Sequence, residues 1–70
     1  MPNGDGGNLK VFAVFNLHHV PHEQWHVAIA NHLRAIAGEF EAKGLSLPSG
    51  QVTHHSADGQ SRAIFEYSQR

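Results

Sequence analysis

The sequence contains no cysteine. Disulfides and thiolate-held zinc are therefore excluded as staples for a small fold, and a reducing, cytoplasmic setting is expected. Long apolar runs are missing as well. Nothing approaches the ~20 residues a membrane helix needs, and no segment has the basic and apolar regions of a signal peptide. Cations are few. Lys10, Arg34, Lys43, Arg62 and Arg70 lie scattered, so the basic stripe of a nucleic-acid binder is not formed and such a partner is not expected. Phosphate loops and GxGxxG turns are missing, and no serine sits in a nucleophile elbow.

What remains is short and rich in histidine. With 70 residues, one domain is the limit. A chain this size buries roughly 60% of its unfolded surface, so stability is marginal and a partner or metal is a common remedy. Residues 1–8 (MPNGDGGN) carry almost nothing to bury and are expected to form a flexible tail. Residues 9–70 then form a single domain.

Leu9 to Leu17 (LKVFAVFNL) has the length and composition of a strand. Val11, Ala13, Phe15 and Leu17 alternate onto one face, and Phe12 and Val14 onto the other. Pro21 to Lys43 reads as a helix. Trp25, Ile29, Leu33, Ile36 and Phe40 repeat at helical spacing, Pro21 suits a first helical position, and Gly44 suits the end. Gln51 to Ser56 (QVTHHS) is a polar strand. Asp58-Gly59 is a hairpin signal, and Ser61 to Tyr67 (SRAIFEY) is the return strand.

Polarity sets the expected strand order. The second strand offers only Val52 as a large apolar residue and belongs at an edge. The third is apolar enough for the centre, and the first lies beside it, antiparallel. The expected fold class is α+β: a single small βαββ domain with a three-stranded sheet of order 2-3-1. One long helix packs on one face, which is half of a ferredoxin-like unit.

One helix covers one face, so the other is left carrying Phe12, Val14 and Ile64. A contiguous exposed apolar patch marks an interaction site. A homo-oligomer is expected, most simply a two-fold dimer, joined sheet to sheet or by edge-to-edge pairing of first strands.

Seven histidines in the chain demand an account. His22-Glu23-Gln24-Trp25-His26 matches H-E-x-x-H, which in zinc proteases places two imidazoles on one helical face. A peptidase also needs a cleft and a third ligand, and this chain supplies neither. Zinc or nickel held by His22 and His26, with a further histidine completing the shell, is the metal-binding alternative. Protonating all the histidines adds seven positive charges to a net charge of −1, so an interface containing them would be acid-sensitive.

Pro2, the strand–helix–hairpin order and the helix opening at His22-Glu23-Gln24 resemble the 4-oxalocrotonate tautomerase family. The resemblance implies short subunits in an oligomer, with Pro2 as the base once Met1 is removed. The chain departs from that family in three places, one being that no arginine matches as a substrate clamp. Asn3 to Gly7 separates Pro2 from the first strand, and Gln51 to Ser56 is polar where the family has a central apolar strand. The residues favour a third reading, a non-catalytic, homo-oligomeric protein-binding module with an accessory or inhibitory role toward another protein. Its expected contacts are the His18-His19 turn and the edge residues Thr53, His54 and His55, where strand addition is possible.

Overall fold

The computed structural model describes residues 7–69. Residues 1–6, and with them Pro2 and most of the expected tail, lie outside that range. The chain forms β1 (Leu9–Asn16), a 3-10 turn (His22–Gln24), α1 (Trp25–Lys43), β2 (Ser49–His55) and β3 (Arg62–Gln69). Both strand pairs are antiparallel and the order is β1-β3-β2. This is the small α+β domain expected from strand polarity, with the third strand central. No helix among the described residues is long and apolar enough to cross a membrane.

The α-helix begins later than Pro21. The Gln24 N–H donates to the Pro21 carbonyl at 2.8 Å, which closes a tight three-residue turn before α1 starts. No side chain caps either start, so nothing favours a full α-turn there. The helix stops at Gly44, whose φ of 75° ends the regular backbone while its N–H still reaches the Phe40 carbonyl at 2.8 Å.

The buried face of α1 also differs from the expected stripe. His32 and Ile36 are its buried residues, while Trp25 is 39% and Leu33 45% exposed. The helix packs on β2 and β3 and leaves β1 largely uncovered. At 100° per residue, the flank with Asn31 and Ala35 lines a groove with the β2–β3 turn. Leu33 therefore sits on the opposite flank, toward β1.

Sheet register explains what meets the helix. Gly50, Val52 and His54 of β2 stand opposite Tyr67, Phe65 and Ala63 of β3, and Phe65 and Ala63 stand opposite Ala13 and Phe15 of β1. Phe40 packs edge-on against Phe65 and Tyr67, with centroids 5.6 and 5.5 Å apart. Among the described residues the buried apolar side chains are Leu17, Ile36, Ala63 and Tyr67, a thin core for independent stability.

Tyr67 lies directly across from Gly50, and a Cβ there would overlap its ring and hydroxyl. The hydroxyl is itself held, accepting the Ser46 N–H at 3.0 Å. Gly50→Ala is therefore expected to cost about 1–3 kcal/mol by overpacking. Urea denaturation would read this as a lower midpoint with an unchanged slope. An unchanged midpoint would show that Tyr67 moves aside freely.

Candidate functional site

Two features stand out once the strands are placed. The first is β1. Among the described residues it hydrogen-bonds to β3 alone, so its outer edge is there a row of unpaired backbone groups. Both of its faces are open from Leu9 to Val14. Leu9 and Val11, on the helix side, are 43% and 49% exposed, and Phe12 and Val14, on the far side, are 65% and 46%. The far face of the sheet has cross-strand rows Phe12–Glu66–Gln51 and Val14–Ile64–Thr53. Phe12, Val14 and Ile64 thus share the uncovered face, as the alternation implied. Ile64 is half-buried there because it lies on the central strand.

The remaining residues singled out from the sequence are spread apart. His18 and His19 are exposed in the turn after β1, which the Val20 N–H closes onto the Leu17 carbonyl at 3.0 Å. Thr53 and His55 are exposed on the far face, His55 opposite Arg62. His54, its neighbour in β2, is half-buried and turned toward the helix. An exposed edge made of all three is thus not what the fold provides. His22 lies in the 3-10 turn, where its ring packs on Trp25 with centroids 4.2 Å apart, and His26 lies in α1. That turn interrupts the α-geometry on which an i, i+4 chelate depends. Among the described residues no group of three or more His, Cys, Asp or Glu is placed to hold a metal ion.

The second feature is a buried hydrogen-bonded chain. His32, 1% exposed, uses both ring nitrogens. Its Nδ1 lies 2.7 Å from His54 Nδ1, and its Nε2 lies 2.7 Å from Ser61 Oγ. The chain links the middle of α1 to both strands of the hairpin. Burial in a low-dielectric site, then the neighbouring His54 and His55, push the His32 pKa below its ordinary value. Beside the chain runs a groove of about 490 Å³, lined in part by Val27, Asn31, Ala57, Asp58 and Gln60. The turn below it is braced. Asp58 Oδ1 accepts from Ser56 Oγ–H at 2.7 Å and from the Gln60 N–H at 3.0 Å, and both bonds hold the Asp58 carboxyl below its ordinary pKa.

A serine bonded to a histidine that is bonded to a third group has the layout of an activated nucleophile. Acyl transfer also needs N–H donors for the oxyanion. The Ser61 N–H is spent on Ser56 Oγ at 3.0 Å and the Gln60 N–H on Asp58 Oδ1, and the Ser61 side chain is itself buried. The arrangement instead serves as a polar tie between helix and hairpin.

Sequence reasoning passed over His32 and Ser61. The signals were present. His32 falls within the helical stripe between Ile29 and Ile36, and Ser61 shares the alternation of Ala63, Phe65 and Tyr67, the strand's inward face. Comparison with protein-family models, curated proteins and solved structures finds no match for the chain.

Proposed function

We propose that the chain is a non-catalytic protein-binding module that works as a homodimer, joined through β1. The observation that carries this reading is the outer edge of β1, eight residues long, unpaired among the described residues and apolar on both faces. Natural proteins blunt such edges with charges, prolines or bulges, because a bare edge is a template for another strand. β1 has one charge, Lys10, and no proline, and its register with β3 runs unbroken from Leu9 to Asn16.

A two-fold axis perpendicular to the sheet at Ala13 pairs the two edges with like faces aligned. Val11 then opposes the partner's Phe15, and Phe12 opposes the partner's Val14. Lys10 opposes the partner's Asn16, which keeps the two lysines apart. The result is a six-stranded antiparallel sheet. The Leu33 flank of each helix, toward β1, then borders the new seam.

Sedimentation velocity from micromolar to millimolar concentration tests the assembly. A dimer at micromolar concentration is expected, and a monomer persisting at millimolar concentration overturns it. In this reading the polar β2 edge, with Thr53 and His55, and the His18-His19 turn meet a different protein, on which the module acts as an accessory or inhibitory factor. A photo-crosslinking side chain at Thr53 is expected to capture one defined protein in the native host. The same group at the exposed Glu41 of the helix serves as control. Identical products from both positions would remove the β2 edge from the reading.

A further inference from the structure

The contact between His32 Nδ1 and His54 Nδ1, at 2.7 Å, has room for one proton. Either ring can supply it. If both do, two N–H groups point at each other and the contact is lost. Ser61 settles the resting order. Its hydroxyl is largely withdrawn from water, the residue being 7% exposed, and its partner among the described residues is His32 Nε2 alone. Donation to that nitrogen leaves no orphan donor. His32 must then carry its own proton on Nδ1 and give it to His54 Nδ1, and His54 keeps its proton on Nε2.

One added proton is accommodated by reversing the chain. His54 Nδ1–H donates to His32 Nδ1, and His32 Nε2–H donates to Ser61 Oγ. Both contacts survive, and the loss is confined to the Ser61 hydroxyl proton, which gives up its acceptor. A second proton has no such solution, since it places N–H against N–H and two positive charges side by side. His32 lies in the middle of α1 with Phe15 of β1 on one side, ring centroids 6.1 Å apart, so the partner free to leave is the half-buried His54.

We propose that the His54–His32–Ser61 chain is an acid-released clasp. With one proton or none it ties α1 to the hairpin, and with both rings protonated it releases the β2 end and opens the groove between Asn31 and Asp58.

The surroundings favour release over retention. From β2 the facing titratable group is His54, with His55 on the far side of the strand. Across the groove stands Asp58, already bonded to Ser56 and Gln60. Inward-facing Ala63 and Phe65 of β3 and Phe15 of β1 bring no charge, and the flanking helix residues Ala28, Asn31 and Ala35 are neutral. Lys43 and Glu39 of α1 pair with each other at 3.1 Å.

The depressed pKa of His32 points the same way. The unfolded chain takes up this proton near the ordinary value of 6.5, while the folded chain resists it to lower pH. Stability is thus fully present above that value and is lost as pH falls toward the folded pKa. Up to tenfold in the unfolding constant per pH unit is expected from one such group.

Amide hydrogen exchange at pH 7.5 and 5.5, corrected for intrinsic rates, tests the clasp. Amides from Val52 to Ser61 are expected to lose up to about tenfold in protection on acidification, while the β1–β3 amides change less. In His54→Gln, a carboxamide oxygen can accept from His32 Nδ1–H without titrating, and the acid-dependent opening is expected to vanish. Equal opening in that variant, or none in the wild type, overturns the proposal. The wild type alone supplies a second measurement. Side-chain ¹⁵N spectra at pH 7.5 are expected to show His32 protonated on Nδ1 and His54 on Nε2. Both rings carrying the proton on Nε2 would also overturn it.

Discussion

Lysine at both Val11 and Phe12 is expected to abolish the proposed β1-joined dimer, raising its dissociation constant at least a hundredfold, about 2.8 kcal/mol. The two positions point to opposite faces of β1, and they are 49% and 65% exposed. A lysine at either keeps its ammonium in water in the single chain and costs its fold little. At a β1–β1 seam the same side chains would face the partner's Phe15 and Val14 and bring four charges into one apolar strip. Edge lysines are how sheet proteins discourage this pairing. Sedimentation velocity reads the change, and circular dichroism at high concentration checks that helix and sheet persist. Dimerisation with unaltered affinity would show that the seam lies elsewhere. If the variant instead unfolds on dilution while the wild type does not, folding and association are coupled, as in obligate dimers.

The second large effect belongs to Ile36. It is 2% exposed, and its truncation to alanine removes buried methyl groups and leaves a cavity, at a cost of about 2–5 kcal/mol. A domain of this size has roughly 4–10 kcal/mol in total, at 0.05–0.15 kcal/mol per residue. Ile36→Ala is therefore expected to remove about half of that stability and to lower the urea midpoint in proportion. Leu33→Ala makes the informative contrast. Leu33 is 45% exposed, so in the double-lysine background its loss is expected to stay under about 1 kcal/mol. Both are read from urea midpoints in that background. Equal losses would mean that the helix is rotated from the position described, with Leu33 toward the sheet.

That contrast marks how far the stripe Trp25, Ile29, Leu33, Ile36 and Phe40 could be read. Spacing identified a helix and its apolar side. It did not say which edge of that side would be covered, since a stripe wider than 100° can face its sheet in more than one rotation. The rotation was decided by Phe40 against Phe65 and Tyr67, and by His32 reaching His54 and Ser61. Both depend on residues more than twenty positions away in the chain. The helix start shows the same limit on a smaller scale. Pro21 marked the place, and the bond from Gln24 to the Pro21 carbonyl made the first turn a 3-10 turn.

The candidate site divided in a similar way. The two-faced alternation of β1 and the place of Phe12, Val14 and Ile64 on one open face followed from a period of two. That β1 would also lack helical cover on its other face did not, because it depends on where α1 lies across the sheet. Among the histidines, His18-His19, His22 with His26, and His54-His55 are marked by local spacing. The pair that meets joins position 32 to position 54, and no local pattern announces it.

By itself, then, the sequence determined the element order, the antiparallel sheet with its third strand central, and the inward and outward sets of each strand. These follow from backbone periodicity and from the polarity of six or eight consecutive residues. Only the tertiary structure decided which side of the helix is buried, that β1 stands open on both faces as well as along its edge, and that His32, His54 and Ser61 form one chain. Those outcomes depend on side chains from separate elements competing for one small core. With four buried apolar residues in the described domain, the position of a single helix settles them all.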